Sequence, residues 1–157
     1  MAPSEDVYAK VSTEAATEFV QSFYPALQNN RPTIGSFYST PPSTIVFNGN
    51  PVADGSAVQD IFVNQMPPAH YEVQSFDCQI INKQYPTGIT GRQADPKKEI
   101  SILVIVSGYV RYGESRDLPQ RGFSETFVLI PNPSTDGPKG KRRRDFLIQT
   151  QNFRLVV

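Results

Sequence analysis

Two hydrophobic periods divide the chain near residue 70. Before it, apolar positions recur at helical spacing; after it, they alternate. In "STEAATEFVQSFYPALQNN", Ala16, Phe19, Val20, Phe23 and Leu27 share one helical face. Ser12 or Thr13 is the expected N-cap, with Glu14 favoured by the dipole in the first turn. Pro25 is expected to kink or split this helix. The preceding "MAPSEDVYAK" reads as a loose terminus, so a single domain over 12–157 is expected behind a flexible 1–11. "RPTIGSFY" predicts a short second helix with Ile34, Phe37 and Tyr38 inward. "STIVFNGN" predicts a short strand through Ile45, Val46 and Phe47, closed by a turn at Asn48-Gly49-Asn50. "DGSAVQDIFVNQM" predicts a third helix, capped at Ser56 and ended by Pro67-Pro68, with Val58, Ile61, Phe62 and Met66 on one side.

Beyond residue 70, "HYEVQSFDCQIINKQY", "EISILVIVSGYVRY", "RGFSETFVLIPN" and "RDFLIQTQNFRLVV" predict four strands rich in Val, Ile, Phe and Tyr. Helices followed by a run of strands define the α+β class, with the helices gathered on one face of an antiparallel sheet. In 100–112, Ile100, Ile102, Val104, Val106 and Val110 form an apolar face that belongs under the helices. The opposite face carries Leu103, Ile105 and Tyr109, too apolar for a water-facing surface. By the same alternation, Phe146 and Ile148 share a face with Thr150, Asn152, Arg154 and Val156, and both are candidates for the partner interface. A sheet covered on one side and still apolar on the other calls for a second cover, which points to a protein interface. The alternative is a scatter of single exposed apolar residues, which ordinary surfaces carry.

Composition narrows the function classes. A chain of 157 residues, 38% hydrophobic and 19% charged, is sized for one core. A single cysteine, Cys78, allows no intrachain disulfide and fits a reducing compartment. One cysteine and one histidine make a protein-built zinc site unexpected. The chain has no signal-peptide layout, and no apolar run approaches the roughly 20 residues of a membrane helix, so no membrane association is expected. The catalytic inventory is thin: His70 stands alone at a strand start, and Asp77 lies mid-strand in "FDCQ". There is no Gly-x-Ser-x-Gly elbow and no phosphate-binding glycine loop. No catalytic, cofactor-binding or metal residue is assigned, and the chain is not expected to be an enzyme.

Charge is unevenly placed. Net charge is zero, yet Lys139, Lys141, Arg142, Arg143 and Arg144 fall within six positions; ten basic residues remain elsewhere against fifteen acidic ones. Simple hairpin order puts this loop, 131–144, at the same end of the sheet as loop 85–98, which carries Arg92, Lys97 and Lys98. Three readings stay open for that end: contact with an RNA backbone, a solvated turn, or an import signal.

"FVQSFYPALQNN", "GSFY", "STIVFNGNPVADG", "QMPPAHYEVQSFDCQ", "ILVIVSGYVRY", "GFSETFVLIPN" and "DFLIQTQNFRLVV" follow in the order found in the nuclear transport factor two-like family. Over roughly 14–157 the chain most resembles the small subunit of the heterodimeric general mRNA export receptor, in a fungal version. The resemblance implies a cone with a strongly bent antiparallel sheet and about three helices on one face. It implies that the open face packs on a larger, RNA-binding subunit, and that the pair shuttles between nucleus and cytoplasm through nuclear pores by contacts with Phe-Gly-repeat nucleoporins. It assigns Leu103, Ile105, Tyr109, Thr126, Val128, Asn152 and Arg154 to the partner, and turns Phe127 and Phe153 into the cone. The same fold hosts isomerases and dehydratases with acids inside the cone. Only Asp77 and a distant tyrosine suggest themselves here for such a set.

Overall fold

The computed structural model describes residues 3–86, 95–133 and 144–156. Helix α1 (Glu5–Asn29) lies against a six-stranded sheet, followed by a 3-10 helix (Arg31–Phe37) and the hairpin of β1 (Thr44–Phe47) and β2 (Asn50–Val52). Then come α2 (Gly55–Asn64), β3 (Ala69–Asn82), the single turn α3 (Pro96–Glu99), β4 (Ser101–Tyr112), β5 (Arg121–Pro131) and β6 (Phe146–Val156). The strand order is β2-β1-β6-β5-β4-β3. β3 to β6 form the expected antiparallel meander, but β1 joins β6 in parallel, so the sheet is mixed.

The N-terminal expectations are corrected. α1 starts at Glu5, where the Ser4 side chain accepts from the Val7 N–H at 3.3 Å, with Glu5 and Asp6 in the first turn. Tyr8 is buried under the Lys83 ammonium, so most of 1–11 belongs to the fold rather than to a loose end. Ser12 is an interior helical residue whose hydroxyl donates to the Ala9 carbonyl. Pro25 does not split the helix. Both Pro25 and Gln21, whose carbonyl loses its partner, face water, while Phe23, Tyr24, Ala26 and Leu27 hold both sides in the core. The α2 cap is Asp54, accepting from the Ala57 N–H at 2.8 Å, and not Ser56.

The β1–β2 hairpin turns at Asn48 and Gly49, both at positive φ (50° and 85°), the Asn-Gly choice that a two-residue turn of this hand favours. The concave face of the sheet carries Ile102, Val104, Val106 and Val110 of β4 and Phe123, Phe127 and Leu129 of β5, all fully buried or nearly so. Phe153 joins them, as expected. α1 seats on this face through aromatic contacts: Phe19 and Phe23 meet the Phe127 ring edge-on at 4.7 and 5.4 Å.

Bulges interrupt β3 between Val73 and Ser75 and between Ile80 and Asn82, and β6 opposite Val128/Leu129. The first brings the β3 backbone close over Gly108, where an added Cβ would lie 2.1 Å from the Glu72 carbonyl oxygen. The three nearest atoms are all β3 backbone, so no flexible side chain is there to yield. Gly108→Ala is therefore expected to lower stability by about 3 kcal/mol, read as a drop in the urea midpoint. An unchanged midpoint would mean that this approach is not a packing constraint.

Candidate functional site

No described element covers the convex face of the sheet. Its residues form cross-strand rows, because directly paired residues share a face. One row runs Asp77, Ile105, Thr126, Asn152 and Val46 from β3 to β1; the next runs Gln79, Leu103, Val128, Thr150 and Thr44. Ser75, Ser107, Ser124 and Arg154 make a polar row, in which the Ser75 and Ser107 hydroxyls lie 2.9 Å apart. Glu72, Tyr109, Gly122 and Val156 form the last. Ile105 and Tyr109 are each 44% exposed, and Leu103 and Val128 are half-buried. An apolar centre with polar margins is the layout of a protein-docking surface.

The structure thus brings Leu103, Ile105, Tyr109, Thr126, Val128, Asn152 and Arg154 onto one face. It removes the other two candidates. Val128 pairs with Thr150 but Leu129 pairs with Ile148, so Gln149 is an extra residue in β6. That bulge reverses the alternation: Ile148 is fully buried in the core and Phe146 packs against it, both on the concave side.

Part of the basic end lies within the described residues. Arg92, Lys139, Lys141, Arg142 and Arg143 lie outside the described residues. The bases of the two loops meet: the Lys97 ammonium is 3.8 Å from the Asp145 carboxylate, and the Asn132 side chain donates to the Arg144 carbonyl at 2.8 Å. Arg144 does not reach outward like a free cation. Its guanidinium stacks 3.5 Å over the Phe37 ring, in a groove that also holds Glu14 and Glu18. Burial pushes its pKa down, against the opposing pull of Glu18. Arg144 is therefore an anchor of the loop base and leaves the RNA-contact set. Lys97 and Lys98 remain candidates, with Lys97 shared with Asp145.

Inside the cone lies a polar cluster that Asp77 and His70 do not join. Both of those are exposed, and Asp77 accepts from the Cys78 N–H. The cluster is built on Glu125, in step with Phe123 and Phe127 on the buried face of β5. Its carboxylate accepts from the Tyr24 hydroxyl at 2.8 Å and from the Gln151 side-chain amide at 2.6 Å. The Tyr38 hydroxyl donates in turn to the Gln151 side-chain oxygen. Burial pushes the Glu125 carboxyl up to about 7, against the two hydrogen bonds. Burial likewise raises Tyr24, Tyr38 and Tyr71 well above their ordinary range, so all three keep their protons. The signal was present in "GFSETFVLI": an acid that alternates with phenylalanines belongs to the apolar side of its strand. Among the described residues, no group of histidine, cysteine and carboxylate side chains is arranged to hold a metal.

A bent sheet, helices on its concave side and an acid buried in the cone define the class: an α+β cone with two usable surfaces. The nuclear transport factor 2 (NTF2) domain profile matches residues 15–137, and the chain belongs to that family. It is 26% identical to the NTF2-related export protein 2 of Bos taurus over 92% of both chains. It superposes on a chain of a structure described as Chaetomium thermophilum Mex67 NTF2-like domain complexed with Mtr2, with TM-score 0.77 and 26% identity, over 92% of this chain and 98% of that one. A chain of a Sac3N peptide bound to Mex67:Mtr2 gives TM-score 0.77 and 25% identity, over 92% and 99%.

The buried acid has a measurable consequence. The folded protein holds the Glu125 proton up to about 7, whereas the ordinary value is 4.5. Its contribution to stability is full below the ordinary value and is lost as pH rises through 7. Relative to Glu125→Gln, the wild-type chain should lose about 3 kcal/mol between those limits, measured by urea unfolding across the range. Parallel pH profiles for the two proteins would show that the acid titrates as if exposed.

Proposed function

We propose that this protein is the non-enzymatic small subunit of an mRNA export receptor. The carrying observation is the convex face, where Leu103, Ile105, Tyr109 and Val128 stand uncovered at the centre of a sheet whose other side is packed. Removing their remaining apolar area from water favours a complex, before the costs of association are met, by about 25 cal/mol per Å². The occupant is the matching domain of a larger, RNA-binding subunit, in the way that Mex67 and Mtr2 are found together in the related structures. Thr126, Asn152 and Arg154 supply hydrogen bonds around the apolar centre. The pair carries mRNA between nucleus and cytoplasm through nuclear pores by contacts with Phe-Gly-repeat nucleoporins, a role that follows from the family resemblance. The basic loops add contact with the RNA backbone beside the larger subunit.

Co-expression with the larger subunit should give a stable one-to-one complex. Recovery of a well-behaved homodimer with no such partner would sink the reading. Ile105→Glu with Val128→Glu places two carboxylates at the centre of the face, one beside Asp77. Leaving charges buried and unpaired should weaken the complex by about a thousandfold or more. The monomer should stay folded, since both positions lie outside the core. Tight binding by this variant would refute the face assignment.

Neutralising Lys139, Lys141, Arg142 and Arg143, with Arg144 kept on Phe37, should lower RNA affinity without loosening the heterodimer. The slope of log affinity against log salt should flatten by up to about 3 for single-stranded RNA. Unchanged affinity and slope would leave a solvated turn.

A further inference from the structure

Behind the sheet from the docking face, the cone holds a cavity of about 240 Å³. Its walls are Phe47, Phe62, Tyr71, Tyr112 and Phe153, and Glu125 stands in its lining beside Gln151. The rim is formed by the exposed Asn48 and Asn50 of the β1–β2 turn and by half-buried Val52, Ile61 and Met66. An apolar cavity of about 150 Å³ accommodates benzene, so this one has room for a ring and a short side chain.

Three features select the ligand's chemistry. Glu125 accepts only two hydrogen bonds, one on each oxygen, from Tyr24 and Gln151. A carboxylate has about four acceptor sites, so half of its capacity is unused. Both donors are neutral. Two cations flank this wall: Arg121, an exposed residue that acts on Tyr112, and Arg31, which stacks over Phe62 from the 3-10 helix with its donors on the carbonyls of Leu27, Phe62, Met66 and Pro67. The remaining titratable groups around the acid are tyrosines: Tyr24 from α1, Tyr38 after the 3-10 helix, Tyr71 from β3 and Tyr112 from β4. Tyr71 and Tyr112 also interact with each other. A buried acid without a counter-charge, inside aromatic walls, is complementary to an organic cation.

We propose that the cone cavity binds a small aromatic amine, with its ammonium on the free acceptor sites of Glu125 and its ring against Phe62 and Phe153. This site is separate from the docking face and does not depend on the export reading. Neutral molecules of the same shape fill the same volume but leave the acid unpaired. Binding the cation also favours the ionised acid, so affinity falls as pH drops through about 7.

The test uses the full chain and two probes of equal size, 2-phenylethylammonium and 2-phenylethanol. The amine stays charged across this range, as a lysine ammonium does. Titrations followed by amide shifts in nuclear magnetic resonance should show the amine binding at least about tenfold more tightly than the alcohol above neutral pH. Shifts should centre on Phe47, Phe62, Tyr112 and Phe153. The preference should vanish in Glu125→Gln, whose fold is kept by a flip of the Gln151 amide, and in the wild-type chain at pH well below 7. The wild-type pH series stands alone if the variant does not fold. Equal binding of the two probes, a pH-independent preference, shifts confined to the outer surface, or no saturable binding would each overturn the proposal.

Discussion

The seating of α1 on β5 is the contact on which the rest of the molecule depends. Phe19 and Phe23 close on Phe127, Tyr24 packs 5.9 Å from Phe123, and the Tyr24 hydroxyl reaches Glu125 between them. One strand face is thereby filled by one helix along its length. Because successive residues of a strand point to opposite sides, the same contact sends Ser124, Thr126 and Val128 away from every helix. The core and the docking face are two readings of a single alternation. A cover on the convex side has to come from outside the described chain.

The polar cluster inside the cone follows from the same contact. Glu125 occupies a fully buried position on an otherwise apolar strand face, and its burial is compensated by only two neutral donors. Such an acid raises the free energy of the folded state at neutral pH, so it contributes specificity or binding rather than stability. The docking face and the cavity meet at β5, where Glu125 and Thr126 are neighbours pointing opposite ways. The sheet is the only wall between a protein-sized surface and a ligand-sized one.

Much of this was legible in the chain. The switch from helical to alternating periodicity located the α+β order, and the core face of β4 followed residue for residue, because an uninterrupted strand keeps its parity. What failed did so for local reasons. α1 begins at Glu5, well upstream of an apolar stripe that starts at Ala16, because Ser4 caps it and Tyr8 finds a partner in Lys83. The parallel seat of β1 on β6 pairs residues about a hundred positions apart, which no local pattern records. Glu125 was overlooked because an acid in an amphipathic strand reads as solvent-facing unless its phase is counted. Arg144 looked like one more cation in a basic run until Phe37 lay beneath it.

The bulge at Gln149 brings together two kinds of sequence change that are usually treated differently. Gln149 is half-buried and hydrogen-bonds the Tyr85 hydroxyl at 3.3 Å, so many other side chains fit at its position. Its loss would remove the bulge and leave Ile148 directly before Thr150, still opposite Leu129 on the buried side. Drawing Gln149 into the ladder would instead turn Ile148 outward and Leu147 inward, exchanging core for surface over the whole start of the strand. The position is thus permissive to replacement and to deletion alike: what is specified there is the pairing on either side of it, not the residue between.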